Sequence, residues 1–132
     1  GLILLTNDGQ LTYHLTHPKF EVEKDYLVWV GGQLSRSDIR RLRQGVFLKE
    51  GRTQPAEVKV IFKEKDKAKF LITITEGRNH QIRRMAARVG LTVTRLKRVR
   101  MGSLELGDLE EGEAVELTSK EEQELKKLAD LE

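Results

Sequence analysis

The segment Glu76 to Gly90, EGRNHQIRRMAARVG, carries four arginines and a histidine on a stretch that also has the apolar spacing of a helix. Ile82, Met85, Ala86 and Val89 follow the i, i+3, i+4, i+7 pattern of a core-facing stripe, so the spacing predicts a docked helix over 80–89. Arg84 and Arg88 lie four apart on the far side. Arg83 sits about 100° around the axis from Ile82, at the boundary between buried and exposed, where an arginine can point into a cleft. The loop Gly77-Arg78-Asn79 leads into the helix N-terminus, where unpaired backbone N–H groups and the helix dipole favour an anion. Forked guanidinium donors there suit a carboxylate or a phosphate. The alternative is a solvated surface helix with its arginines in water.

Charge is segregated along the chain. Residues 77–104 contain eight Lys or Arg and no Asp or Glu, whereas residues 105–132 contain eleven acids against three bases, within a net charge of only +3. A concentrated basic segment reads as a footprint for a polyanion, most often nucleic acid. Internal neutralisation by the acidic tail is the competing reading, and charge alone does not choose between them.

Other chemistries are excluded by composition. The chain has no cysteine, so disulfides, thiolate metal sites and cysteine nucleophiles are out, and a reducing compartment, the cytoplasm, is expected. Three histidines at unrelated spacings give no metal motif. No apolar run reaches the roughly 20 residues of a membrane span.

At 132 residues the chain is material for one core. Leu2-Ile3-Leu4-Leu5 reads as a buried strand already under way, which suggests a preceding segment. Thr6-Asn7-Asp8-Gly9 is a turn signal and Gln10 to Leu15 a short helical turn. Tyr26 to Val30 is a strand, with Tyr26, Val28 and Val30 on one face and Leu27 and Trp29 on the other. Ser35 and Asp38 form a capping box for a helix to Gln44, stopped by Gly45, with Ile39 and Leu42 inward and Arg36, Arg40, Arg41 and Arg43 around the rest. Val58-Val60-Phe62 and Phe70-Ile72-Ile74 alternate as a hairpin, Asn79 is a candidate cap for the basic helix, and Leu91 to Arg100 is a further strand. Ser119 opens a terminal helix carrying Leu125, Leu128 and Ala129. Short helices mixed with hairpins, without a repeating strand–helix alternation, indicate an α+β fold with a mixed, largely antiparallel sheet.

Five segments then carry a resemblance: GLILLTNDGQL (1–11), LTHPKFEVEKDYLV (15–28), GRTQPA (51–56), EGRNHQIRRM (76–85) and VTRLKRVRMGSLEL (93–106). In order and over most of the chain, the sequence resembles the pseudouridine synthases that act on single uridines in bacterial small- or large-subunit ribosomal RNA. That resemblance implies the pseudouridine synthase fold, a flipped uridine as substrate, ribosomal RNA as partner, no membrane, and neither cofactor nor metal. It implies an aspartate nucleophile, breakage of the glycosidic bond and rejoining through carbon. Flipping fits the physics, since the reacting atoms of a stacked base are inaccessible.

Carried over residue by residue, the tyrosine of the Lys-x-Tyr element is Tyr26, which would stack on the uracil and take part in proton transfer. The arginine of His-Gln-Ile-Arg is Arg83, which would pair with the nucleophile and keep it ionised. Ile82 or Met85 would wall the pocket, and Arg78, His80, Gln81, Arg84, Arg88, Lys97 and Arg98 would meet RNA. The family's Arg-Leu-Asp segment, about five residues before the position of Gly1, is not among these residues, and neither Asp8 nor Asp25 replaces it. The expectation is therefore a single partial catalytic domain over 1–132, lacking its N-terminal segment and inactive alone, with an exposed sheet edge able to pair with a second copy. The alternative is a non-catalytic RNA-binding module of the same fold.

Overall fold

The computed structural model describes residues 1–78 and 80–129. Its strands are Lys24–Gly31 (β1), Phe47–Leu48 (β2), Gly51–Arg52 (β3), Glu57–Lys63 (β4), Lys67–Ile74 (β5), Thr92–Met101 (β6) and Leu104–Glu105 (β7). Its helices are Gly9–Thr16 (α1), Arg36–Gln44 (α2), Gln81–Arg88 (α3) and Ser119–Leu128 (α4), with a short 3-10 turn at Pro18–Phe20. One five-stranded sheet has the order β4-β5-β1-β6-β7, and β2 and β3 form a separate ribbon. Every pairing among the described strands is antiparallel.

Strand β1 is central because its aromatic and β-branched run suits a strand packed on both edges. Tyr26, Val28 and Val30 pair with Ile72, Phe70 and Ala68 on β5, and with Arg98, Leu96 and Val93 on β6. Opposed residues share a face, so this register turns one alternating set toward α2 and α3. Leu34, Leu42, Ile82, Met85 and Ala86 close that core over Val28, Phe70 and Ile72. Each fully buried side chain of this size contributes roughly 1.5–3 kcal/mol relative to exposure.

The capping box on α2 forms as expected: Asp38 N–H donates to the Ser35 hydroxyl at 3.0 Å, and Ser35 N–H donates to the Asp38 carboxylate at 3.0 Å. Gly45 ends this helix at φ 99°, and a Cβ there would collide with the Thr53 carbonyl oxygen. Both the left-handed geometry and the close approach therefore require glycine.

One element differs from expectation, and two helix starts are drawn more finely. Residues 2–5 form no strand: Leu2 and Leu4 are half-buried, Ile3 and Leu5 are 72% and 84% exposed, and one backbone bond ties Leu2 N–H to Arg98 O at 2.8 Å. A four-residue apolar run reads as a strand only if partners lie on both faces, and here they lie on one. The terminal helix is capped by Thr118 in a capping box with Glu121, one residue before Ser119. Its Leu125 and Ala129 complete a second core with Leu11, Leu15, Val22, Met101 and Leu104, while Leu128 stays half exposed. The expected cap Asn79 lies outside the described residues. His80 holds the N-cap position at φ 51° without a side-chain cap bond.

Candidate active site

Helix α3 docks as its apolar stripe dictates. Met85 is fully buried and Ile82 nearly so, in the same cluster against which Tyr26 packs. Tyr26 and α3 therefore stand on one side of the sheet. Ile82 and Met85 are sealed in the core, so they can support a pocket from beneath but do not line an open one. Arg83 is exposed, and its one polar contact among the described residues is a long one, Nη1 to Val93 O at 3.5 Å. No acidic partner of Arg83 occurs among the described residues.

At the head of α3 the structure builds a buried polar knot that composition gave no sign of. Gln81, 4% exposed, donates from its amide nitrogen to Glu76 at 2.9 Å and accepts from Arg78 N–H at 3.0 Å. Glu76 also accepts from Gln54 N–H at 2.8 Å. Arg78 donates to Glu76 at 3.2 Å and to the carbonyls of Gly51 and Arg52, both at 2.8 Å. This corrects two expectations. Gln81 does not face RNA, because both ends of its amide are used inside the protein. Arg78 spends Nε on Glu76 and Nη1 and Nη2 tying the loop to β3, so its first role is to position the helix.

Arg84 is likewise engaged, meeting the Glu50 carboxylate at two points, both 2.6 Å. The hydrogen bonds from Arg84 outweigh a small burial penalty and hold the Glu50 carboxyl at about 2. Arg88 is exposed, with no acidic partner among the described residues, while its carbonyl accepts from Arg41 at 3.2 Å. Exposed His80, at the helix head, is the other candidate whose side chain faces solvent.

Arg98 and Lys97, adjacent on β6, part company. Arg98 pairs with Tyr26 and turns to its side, where Nε and Nη2 donate to Leu2 O at 2.9 and 2.7 Å. Lys97 pairs with Leu27 on the opposite face. The two cannot serve one phosphate surface, because successive side chains of a strand alternate.

Lys24 was not foreseen as a site residue, although it opens the Lys-x-Tyr element. It is 7% exposed on the Tyr26 face, and a Cβ on Gly77 would lie 3.7 Å from its Nζ. Burial, and then the charge of Arg98, lower its pKa. The signal available in the sequence was its position two residues before Tyr26, which places both side chains on one face.

The two aspartates set aside from the sequence are both occupied. Asp8 caps α1, accepting from Gln10 and Leu11 N–H at 3.1 Å. Asp25 is bound by Arg100 and by the Thr73 hydroxyl. Among the described residues no ion pair joins 77–104 to the acidic stretch after it: the acidic partners of the basic segment there are Glu23, Asp25, Glu50 and Glu76. The described contacts thus give internal neutralisation by the tail no support.

The fold as a whole matches that of a solved pseudouridylate synthase. That crystal structure superposes with a TM-score of 0.83 and 34% identity, over 91% of this chain and 52% of that one. A family model described as RNA pseudouridylate synthase matches residues 1–88. The chain belongs to this family. Ribosomal large subunit pseudouridine synthase B of Bacillus subtilis is 44% identical over 132 residues, covering 98% of this chain and 54% of the relative. Ribosomal large subunit pseudouridine synthase E of Vibrio parahaemolyticus is 44% identical over 131 residues, covering 89% and 55%. The chain spans about half the length of the curated relatives it matches. No described helix is long and apolar enough to cross a membrane.

Proposed function

We propose that the protein carrying this chain isomerises uridine to pseudouridine in ribosomal RNA in the cytoplasm, with a flipped uracil against Tyr26 and the nucleophilic aspartate held by Arg83. The observation that carries this reading is Arg83 itself, an exposed guanidinium beside the Tyr26 side of the sheet with no carboxylate among the described residues to satisfy it. A fixed fork of this kind lowers the pKa of a carboxylate and orients it. The reaction breaks the glycosidic C–N bond and joins the same base and sugar through carbon, so it is balanced without redox or an added group. In this reading Tyr26 stacks on the base and passes a proton. Lys24 beneath it adds positive charge in a poorly solvated position. Arg88 and His80 are the phosphate contacts of this face, with Arg98 placed beside Tyr26. Arg84 joins them only if phosphate displaces Glu50.

The test is pseudouridine analysis of ribosomal RNA, naked and ribosome-bound, incubated with the full-length protein and with Arg83→Ala. Pseudouridine formed by the first and lost with the second is the expected result. No pseudouridine on either substrate would overturn the assignment. The same absence of a described carboxylate opposite Arg83 favours a second reading, a non-catalytic RNA-binding module, which predicts RNA binding with no product.

A further inference from the structure

The second face of the sheet, opposite Tyr26, is covered by no described element, and its side chains form a pattern. Register places three rows across strands β4, β5, β1 and β6. The middle row runs Lys59, Leu71, Leu27, Lys97; the row beside it runs Phe62, Lys69, Trp29, Arg95; the last runs Glu57, Thr73, Asp25, Arg100. Leu27, Leu71 and Trp29 are part-exposed and belong to neither hydrophobic core. Lys69 Nζ lies 4.6 Å and Arg95 Cζ 4.7 Å from the centre of the Trp29 ring, one from each neighbouring strand.

The last row is neutralised internally, by Asp25 and Arg100. The first two rows are not. Lys59, Lys69, Arg95 and Lys97 have no acidic partner among the described residues, and no Asp or Glu stands in either row. A surface with four cations that have no acidic partner among the described residues, ranked around an indole and two leucines, is complementary to a flexible polyanion with apolar faces. Single-stranded RNA has both properties: phosphates for the lysines and arginine, and bases for the leucines, the exposed Phe62 and the indole edge. A folded acidic protein would satisfy the charge but leave the apolar row without a matching requirement, and duplex nucleic acid presents no free base faces.

We propose that this face of the sheet, centred on Trp29 between Lys69 and Arg95 with Lys59 and Lys97 beside them, binds a single-stranded segment of RNA. It rests on the reading that the protein acts on RNA, and adds a second contact surface on the side of the sheet away from Tyr26. The cation–aromatic contacts hold Lys69 and Arg95 in place before RNA arrives, which lowers the ordering cost of gripping phosphate.

Trp29 is the only tryptophan in the chain, so its fluorescence reports on this face directly. The chain is titrated with a ten-nucleotide single-stranded uridine oligomer, a duplex RNA of equal length and polyglutamate, at several salt concentrations, and binding is measured in parallel by anisotropy with Lys69→Gln/Arg95→Gln. Expected are a change in Trp29 emission with the single strand, tighter binding of it than of polyglutamate or duplex, and weaker binding by the double variant. Loss of two phosphate contacts lowers the salt slope by about 1.4 and the affinity roughly 25-fold at about 0.1 M salt. Circular dichroism of the variant confirms that the sheet is retained, and Lys59→Gln/Lys97→Gln, which leaves the indole contacts intact, gives a second reading of the same face. Unchanged affinity in both double variants, or an emission unmoved by saturating single strand, overturns the proposal. Equal binding of polyglutamate reassigns the face to an acidic protein and overturns it also. These outcomes concern binding without product, so they are separable from a failure of pseudouridine formation in the full-length protein.

Discussion

Arg100 grips Asp25 from the neighbouring strand, with Nε at 2.7 Å and Nη2 at 3.0 Å from its two carboxylate oxygens. The Thr73 hydroxyl adds a third bond at 2.6 Å. The aspartate closest in sequence to Tyr26 is thereby held on the sheet face away from it, as a cross-strand tie. Burial raises its pKa, but the hydrogen bonds from Arg100 and Thr73 and the Arg100 charge prevail, and the net direction is downward.

Asp25→Asn should therefore cost stability and spare chemistry. Hydrogen bonds to charged groups contribute about 1.5–3 kcal/mol, and the loss should fall near the lower end because the pair is partly solvated. With a folded pKa below 3.8, the contribution is fully present above that value and disappears as pH falls through the lowered one. Urea denaturation between pH 2 and 7 should show a smaller acid-dependent loss in Asp25→Asn. Pseudouridine formation by the full-length variant should persist at temperatures where it is folded, and its abolition there would mean that Asp25 has a chemical role.

Lys24→Met should be stabilising, by about 1 kcal/mol, because it replaces a buried ammonium that has no acidic partner among the described residues with a side chain of similar length. The folded pKa of Lys24 lies below 10.5, so the unfolded chain binds more protons between the two values and stability rises with pH across that window. The variant should lose this rise. If Lys24 also supplies charge to the Tyr26 side, the full-length variant should lose turnover while its melting temperature is kept or raised.

Arg78→Ala and Arg88→Ala separate positioning from RNA contact. Arg78 holds three partners and part of a buried knot, so its removal should cost about 2–3 kcal/mol of stability. Arg88→Ala should leave stability within about 0.5 kcal/mol and reduce the salt slope of single-stranded RNA binding by about 0.7. Thermal melts and salt-dependent anisotropy on both variants decide it. A stable Arg78→Ala protein with a reduced salt slope would return Arg78 to the RNA surface.

The Glu50 carboxyl should titrate near pH 2 in an NMR titration, since Arg84 holds it at about 2. In Arg84→Gln it should return to about 4.3, the ordinary range for glutamate. An unchanged titration would show that the two-point pair is not maintained in solution.

Much of the scaffold was legible in the chain because it depends on local rules. The capping box at Ser35, the stop at Gly45, the hairpin around Lys67, the strand at Tyr26 and the stripe of α3 each follow from spacing within a few residues. The roles of individual arginines were less legible. EGRNHQIRRM distinguishes a buried face from an exposed one, but not which exposed arginine meets a carbonyl of β3 or a carboxylate at position 50. Those partners are more than twenty residues away in sequence. The short ribbon of β2 and β3 escaped notice because two residues per strand leave no period to read.

The sequence by itself determined the family, the helix that carries Arg83, and the alternation that sets Tyr26 and Trp29 on opposite faces. Those are matters of motif and period. Only the tertiary structure decided that Gln81 is buried, that Arg78 and Arg84 are bound, that Lys24 lies desolvated under the Tyr26 face, and that Lys69, Trp29 and Arg95 stand in one row. A sheet's register brings together residues from positions 29, 69 and 95, and no local propensity specifies which cations will flank a given indole.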